Sequence, residues 1–285
     1  MSIWQAILLG LVQGLTEFIP ISSTAHLTLA GKTIGVIDPQ HPQQWTAFIA
    51  VIQLGTLLAV LIYFWSDIIS IIRGFTLANI ALIKKQPVEE IHRQQARLGW
   101  FVVIGTIPIA TIGLALKDII EGRLTKNLWV IAASLIGLAL LLAIAEFVAS
   151  QKRDMTSLRL LDALAVGLAQ VFALIPGSSR SGTTITGGLL AGIKREAAAR
   201  FSFLLSIPAI AASGLLEFRE VIRSHDAQWT PIIIASIVAA ISGYLSIAFL
   251  LRYLQKHTTY LFVIYRIALG VLLIALLMTG RIAAD

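Results

Sequence analysis

Long apolar stretches alternate with short polar breaks along the whole chain. Runs near Ala47–Trp65, Leu98–Leu116, Leu128–Val148, Phe201–Glu217, Pro231–Leu251 and Tyr260–Met278 each reach the roughly 17–25 residues that let a helix cross a bilayer. Two pairs of apolar segments are shorter: Ile3–Ile19 with Ala25–Ile37, and Leu160–Ile175 with Thr183–Ile193. Proline and serine interrupt each pair. This pattern predicts re-entrant hairpins or discontinuous helices; the competing reading is two full helices per half, kinked at proline.

The two interruptions are alike. One is Ile19-Pro20-Ile21-Ser22-Ser23-Thr24-Ala25-His26; the other is Ile175-Pro176-Gly177-Ser178-Ser179-Arg180-Ser181-Gly182. They lie 156 residues apart and divide a single integral membrane domain, 1–285, into repeats of about 1–150 and 151–285. Three spans follow each hairpin. Because three is odd, the second repeat begins on the opposite side of the membrane. The predicted fold is an all-α polytopic membrane protein with two inverted repeats, each a re-entrant helical hairpin plus three transmembrane helices.

Composition agrees with this class. The chain is 57% hydrophobic and 13% charged, with mean hydropathy +0.86, where a soluble domain carries about a quarter charged residues. The alternating segments of a membrane β-barrel are not visible. The net charge of +7 comes without a basic stripe and interleaved aromatics, so nucleic acid is not an expected partner. Basic loops read instead as topology determinants. One side holds Arg73, Lys84, Lys85, Arg93, Arg97, Lys152, Arg153, Arg159, Lys194, Arg195, Arg200, Arg252 and Lys256; the other holds Lys32, Lys117, Arg123, Lys126, Arg219, Arg223 and Arg281. That 13-to-7 excess makes the first side cytoplasmic. It leaves both termini outside and brings the first hairpin in from outside. The longest connection, Ser66–Ala96, is expected to be an interfacial cytoplasmic segment. The chain has no cysteine, which excludes disulfides, cysteine-bound zinc and thiol nucleophiles. The apolar N-terminus lacks the basic n-region of a signal peptide and is expected to belong to the mature fold.

Arg180 and Arg266 are left at membrane depth, where a charge costs about 2.5–3.5 kcal/mol on insertion scales. Around the first break, Gln13 and Glu17 share a helix face, Pro20 stops the helix, and Ser22 and Ser23 can cap the next one. His26 lies one turn past Ser23. Carboxylate and carboxamide oxygens suit Mg²⁺ or Ca²⁺, so Glu17 and Gln13 are the candidate metal ligands. Around the second break, Gly177 permits close backbone approach, hydroxyls crowd the helix start, and Arg180 offers a planar fork for phosphate oxygens. It is not a Walker A loop, because no Gly-Lys-Ser/Thr ending is present. A diphosphate held between two helix N-termini suits this set, and a phosphorylated lipid explains its location in the membrane.

These residues resemble a known family. Gln13-x-x-x-Glu17 with Pro20-x-Ser22-Ser23-Thr24-x-His26 is similar to the E/Q-x-x-x-E and P-x-S-S-T-x-H signature of the bacterial undecaprenyl-diphosphatase (bacitracin-resistance) family. Pro176-Gly177-x-Ser179-Arg180-Ser181-x-x-Thr184 resembles its P-G-x-S-R-S-x-x-T motif without a departure. Val51-Ile52-Gln53-Leu54-Gly55 and Tyr265-Arg266-Ile267 resemble further family segments. Gln13 stands where many members have Glu, which weakens its metal-binding role. The resemblance implies a multi-pass enzyme of the bacterial plasma membrane, with its site open to the outer face. It implies hydrolysis of undecaprenyl diphosphate to undecaprenyl phosphate and inorganic phosphate with a divalent cation. That reaction recycles the carrier for peptidoglycan and confers bacitracin resistance.

The expected catalytic residues are Glu17, Ser23, His26 and Arg180. Ser22, Thr24, Gln53, Gly177, Ser178, Ser179, Ser181 and Thr184 are expected to bind substrate. Three nucleophiles stay open: Ser23 with His26 as base, His26 itself, or metal-bound water. Arg266 is expected to support the site through Tyr265 or to pair with a carboxylate such as Glu217. A homodimer is compatible with this reading. The rival class is a lipid-phosphate or anion transporter, since inverted repeats and broken helices are also a transporter plan.

Overall fold

A computed structural model describes residues 1–38, 42–116, 119–120, 127–223 and 229–284, with backbone alone at 42, 43, 220 and 223. Lys117, Arg123, Lys126 and the side chain of Arg223, counted above as outer charges, lie outside the described residues. The described chain is helical: α1 (Ile3–Glu17), α2 (Ser23–Thr33), α3 (Pro42–Tyr63), α4 (Trp65–Ile83), α5 (Glu90–Ala115), α6 (Leu128–Val148), α7 (Leu160–Val171), α8 (Arg180–Leu190), α9 (Arg195–Arg223), α10 (Trp229–Leu254) and α11 (Tyr260–Met278). Seven of these, α3 to α6 and α9 to α11, are long and apolar enough to cross a membrane. The protein is an all-α polytopic membrane protein, and the apolar side chains on its outside, such as Trp4, Phe147 and Ile264, face lipid rather than water.

The two short pairs are hairpins, not kinked spans. The 15 residues of α1 and the 11 of α2 reach only about 22 and 16 Å at 1.5 Å per residue. The start of α1 lies beside the end of α2, where Gln5 Nε2 donates to the Ile34 carbonyl at 3.2 Å. Ser2 and Gln5 cap α1 reciprocally, and the helix stops ahead of Pro20 as the residue before a proline demands. The second hairpin closes in the same way. Arg153, ahead of α7, bridges Ile193 beyond α8 and donates to the Ala191 carbonyl at 3.0 Å. Both hairpin tips turn on a serine with positive φ that caps the returning helix: Ser22 (φ 77) accepts from Ala25 N, and Ser179 (φ 66) from Gly182 N.

The two capping serines lie one residue further apart than the Ile-Pro pairs. Ser22 corresponds to Ser179, an offset of 157, so Ser23 corresponds to Arg180. The same offset pairs Gly10 with Gly167 and Gln13 with Gln170. A Cβ on Gly10 would collide with the Ala235 carbonyl of α10, and one on Gly167 with the Gly105 carbonyl of α5. Each hairpin thus rests by a glycine on a long helix of the other half. The hairpin mouths lie at opposite ends of α6. Leu128 N and Lys32 bond the carbonyls of Ala284 and Ala283 at one end. At the other end Glu146 binds Arg195, and Ser150 packs at Gly192. The 21 residues of α6 span about 31 Å, one bilayer core.

The segment Ser66–Ala96 is not the loop expected. It forms α4 and the first turns of α5, packed antiparallel, with Gly74 against Gln95 and Gly99 against Phe75. Apolar residues around much of α4 sustain a long regular helix in a segment expected to be only an interfacial connection. Asp67 at its start pairs with Arg200 of α9 at 2.8 Å, and Arg97 donates to the Thr156 carbonyl at 2.7 Å. Both ends of the excursion therefore sit at the end of the bundle that holds the mouth of the second hairpin. The helices α5 and α9 also begin earlier than their apolar runs, because Arg97, Arg195 and Arg200 find acceptors in their first turns.

Gly10→Val and Gly167→Val should each destabilise the bundle by about 1–3 kcal/mol through overpacking. Gly137→Ala, where a Cβ meets nothing within 4 Å, should leave thermal unfolding in detergent unchanged. Because the chain has no cysteine, Thr33→Cys and Lys152→Cys can be labelled singly. An impermeant maleimide should reach them from opposite sides of sealed vesicles.

Candidate active site

The tips of the two hairpins meet on one carboxylate. Phe18 is buried edge-on against Phe203 of α9, ring centroids 5.2 Å apart, which drives the end of α1 into the protein and carries Glu17 with it. Glu17 is buried. Its Oε1 accepts from Arg180 Nη2 in an ion pair between the hairpins. Its Oε2 accepts from Ser23 Oγ at 2.7 Å and from Gln13 Nε2 at 3.0 Å. Ser23 and Arg180 are the first residues of α2 and α8. Equivalent positions of the two hairpins therefore deliver a hydroxyl and a guanidinium to the two oxygens of one side chain. Both lie next to a positive-φ cap, a conformation that costs about 1–3 kcal/mol and collects at functional sites.

Residues 6–272 match the family model of the bacitracin resistance protein BacA. The chain belongs to this family. It is 55% identical over 271 residues to the undecaprenyl-diphosphatase of Syntrophobacter fumaroxidans, covering 95% of each chain. The undecaprenyl-diphosphatases of Chlorobaculum tepidum and Myxococcus xanthus are each 49% identical, with 99% of this chain aligned to 99% and 92% of theirs. The glycine contacts and capped hairpin tips therefore occur in a chain that its relatives match nearly from end to end.

His26 is hydrogen-bonded to other partners than the Glu17 cluster. Its Nδ1 lies 2.7 Å from the Ser22 carbonyl and its Nε2 2.7 Å from the Tyr265 hydroxyl. Ser23 is hydrogen-bonded to Glu17 and not to His26, so the base poised on Ser23 is the carboxylate. A serine placed first in its helix points back across the tip, whereas His26 follows one turn later toward α11.

The hydroxyls expected to cradle phosphate chiefly build the loop. Ser179 Oγ accepts from Gly182 N and lies 3.2 Å from Ser181 Oγ, which also reaches the Ile19 carbonyl at 3.4 Å. Thr184 Oγ1 donates to the Arg180 carbonyl at 2.7 Å and meets Ser202 Oγ at 2.5 Å. These bonds fix the backbone from which Arg180 projects. Gly177 (φ 87) makes its close approach to α6, at Ile131 and Ser134, rather than to an open cavity. Ser22 Oγ serves as the cap. Among the described residues, no hydrogen bond involves the side chain of Thr24 or Ser178, and Gln53 on α3 has none to Glu17 or Arg180.

The structure adds supports that no motif signalled. Ser134 in α6 donates to the Pro176 carbonyl, and Ser202 in α9 meets Thr184; serine positions inside apolar helices were the only trace of either. Arg266, fully buried, donates through Nη2 to the Ser178 carbonyl at 2.8 Å and packs at Gly182. It braces the second hairpin by backbone carbonyls instead of pairing with a carboxylate such as Glu217.

The donors present define what cation they fit. Gln13 Oε1 is buried without a hydrogen-bond partner and sits on the face that carries Glu17. Among the described residues no three His, Cys, Asp or Glu side chains cluster. An ion held by protein alone does not fit. A Mg²⁺ or Ca²⁺ that takes one carboxylate, one carboxamide and further oxygens from phosphate and water does fit.

Removing one member of a buried pair costs about 3–5 kcal/mol, because the other is left charged and alone. Glu17→Gln should therefore lower thermal stability in detergent, and adding Arg180→Met should restore part of it. Losses that simply add would show that the two side chains do not stabilise one another.

Proposed function

We propose that this protein hydrolyses undecaprenyl diphosphate to undecaprenyl phosphate and inorganic phosphate at the Glu17–Arg180 centre, in the plasma membrane and from its outer face. The carrying observation is that Ser23 and Arg180 bind the same buried carboxylate, in a chain 55% identical to a protein named for this activity. The hairpin mouths at opposite ends of α6 favour inverted repeats, which bring one tip in from each side. The reaction returns the lipid carrier to peptidoglycan synthesis and removes the diphosphate that bacitracin sequesters.

A diphosphate competes with Glu17 for the Arg180 fork, and the α8 N-terminus adds its dipole to the same anion. Glu17, released from Arg180, takes the Ser23 proton on Oε2. Ser23 Oγ then bonds the terminal phosphorus. The bond from that phosphorus to the bridging oxygen breaks, and its electron pair leaves on undecaprenyl phosphate. Water next attacks the phosphoserine and loses a proton toward His26, while Ser23 Oγ departs and recovers its proton from Glu17. A divalent cation beside Glu17 and Gln13 supplies charge neutralisation for the phosphoryl oxygens. Most of the acceleration comes from positioning and electrostatics, as in other phosphoryl transfers.

Purified protein given a prenyl diphosphate and Mg²⁺ in detergent should release orthophosphate, and a chelator should suppress the release. Ser23→Ala should lower turnover by roughly the 10²–10⁴-fold that positioned acid–base groups contribute; near-normal turnover would eliminate the serine pathway. Substrate movement across sealed vesicles without phosphate release would point to transport instead.

A further inference from the structure

The ring of Tyr265 on α11 lies almost parallel to His26, 9° apart with centroids 5.6 Å distant. Hydrogen-bond chemistry fixes the imidazole between two partners. The Ser22 carbonyl only accepts, so His26 Nδ1 carries the proton that reaches it across 2.7 Å. The neutral ring keeps its lone pair on Nε2. That atom is 2.7 Å from Tyr265 Oη, so the phenol donates into it. Tyr265 is 43% exposed, and its oxygen retains lone pairs that can accept from water. Arg266, the next residue, holds the Ser178 carbonyl of the other hairpin. Consecutive side chains of α11 thus grip both hairpin tips, and the phenol of Tyr265 is part exposed beside His26.

We propose that Tyr265 is the proton relay of the hydrolytic step. The proposal rests on the phosphatase reading given above. As water attacks the phosphoserine, its proton passes to Tyr265 Oη while the phenolic proton moves onto His26 Nε2. The water oxygen bonds phosphorus, the bond to Ser23 Oγ breaks, and Oγ takes the proton held by Glu17. The phenol is neutral before and after, and the imidazolium returns its proton to solvent. Nothing is oxidised or reduced. Tyr265 therefore acts on the second half of the reaction, after undecaprenyl phosphate has left.

Tyr265→Phe keeps the ring and its stacking and deletes only the relaying oxygen. In the full-length protein, kcat for a prenyl diphosphate should fall roughly ten- to a hundredfold, at or below the lower end of the range of positioned acid–base groups, while kcat/KM stays within about twofold, because KM falls with kcat when the step after prenyl-phosphate release becomes limiting. Rapid quench should show a burst of prenyl phosphate and a trapped phosphoenzyme. In a His26→Ala background the same substitution should cause no further loss, the non-additivity expected of two members of one path. ¹⁵N NMR of the imidazoles, with His26→Asn to assign the signal, should find Nε2 unprotonated in the parent protein and altered in Tyr265→Phe. A parent-like kcat in Tyr265→Phe, or equal losses in both backgrounds, would overturn the relay. Parallel assays separate the two levels. If the parent protein releases no orthophosphate, or Ser23→Ala turns over normally, the phosphatase or serine reading fails first. If both behave as expected while Tyr265→Phe is unimpaired, only the relay fails.

Discussion

The ion pair between Glu17 and Arg180 is the constraint around which the molecule is arranged. Two opposite charges in an apolar interior relieve one another's desolvation cost by contact, which either alone would bear in full. Contact requires two hairpins, far apart in sequence, to end at one point. Phe18 against Phe203 and the capped turns at Ser22 and Ser179 fix the depth and direction of each tip. Ser23 and Gln13 complete the hydrogen bonds of the carboxylate, so that no oxygen of Glu17 is wasted. A phosphate can enter by replacing the carboxylate on Arg180, which leaves Glu17 beside the hydroxyl it can deprotonate. One contact is a structural bond in the resting protein and, in the proposed reaction, a switch.

Packing explains how such a short pair of helices is held. Gly10 and Gly167 let backbone meet backbone where α1 crosses α10 and α7 crosses α5. Between apolar helices in lipid, close packing of small residues supplies the attraction that hydrophobic burial supplies in water. Each hairpin leans on a long helix from the other half, so neither half can position its own tip alone. The two hairpin tips share a positive-φ serine cap, and their chemistry differs: after its cap one has Ser23 and the other Arg180.

Much of this was legible in the chain. Span lengths gave the class, and the Pro-Ser interruptions located both hairpins and nearly every side chain at the centre. Three features were not legible. The one-residue shift in repeat register is set by the serines that adopt positive φ, and two adjacent serines in each copy offered two choices. The long helix α4 lies in a segment that read only as an interfacial connection, because polarity at a segment's ends says little about its middle. The hydrogen bonds that Ser179, Ser181 and Thr184 make to their own loop and to Ser202 were the third, since a hydroxyl at a helix start can face a ligand or its own backbone with equal ease.

By itself the sequence determined which residues could not face lipid, and so which had to form the polar centre. Hydrophobicity is a property of single residues and survives in a linear string. Tertiary structure alone decided the pairings: Glu17 with Arg180 and Ser23, His26 with Tyr265, and Arg266 with the Ser178 carbonyl. Those depend on distance and direction across as many as 239 positions, and the string carries neither.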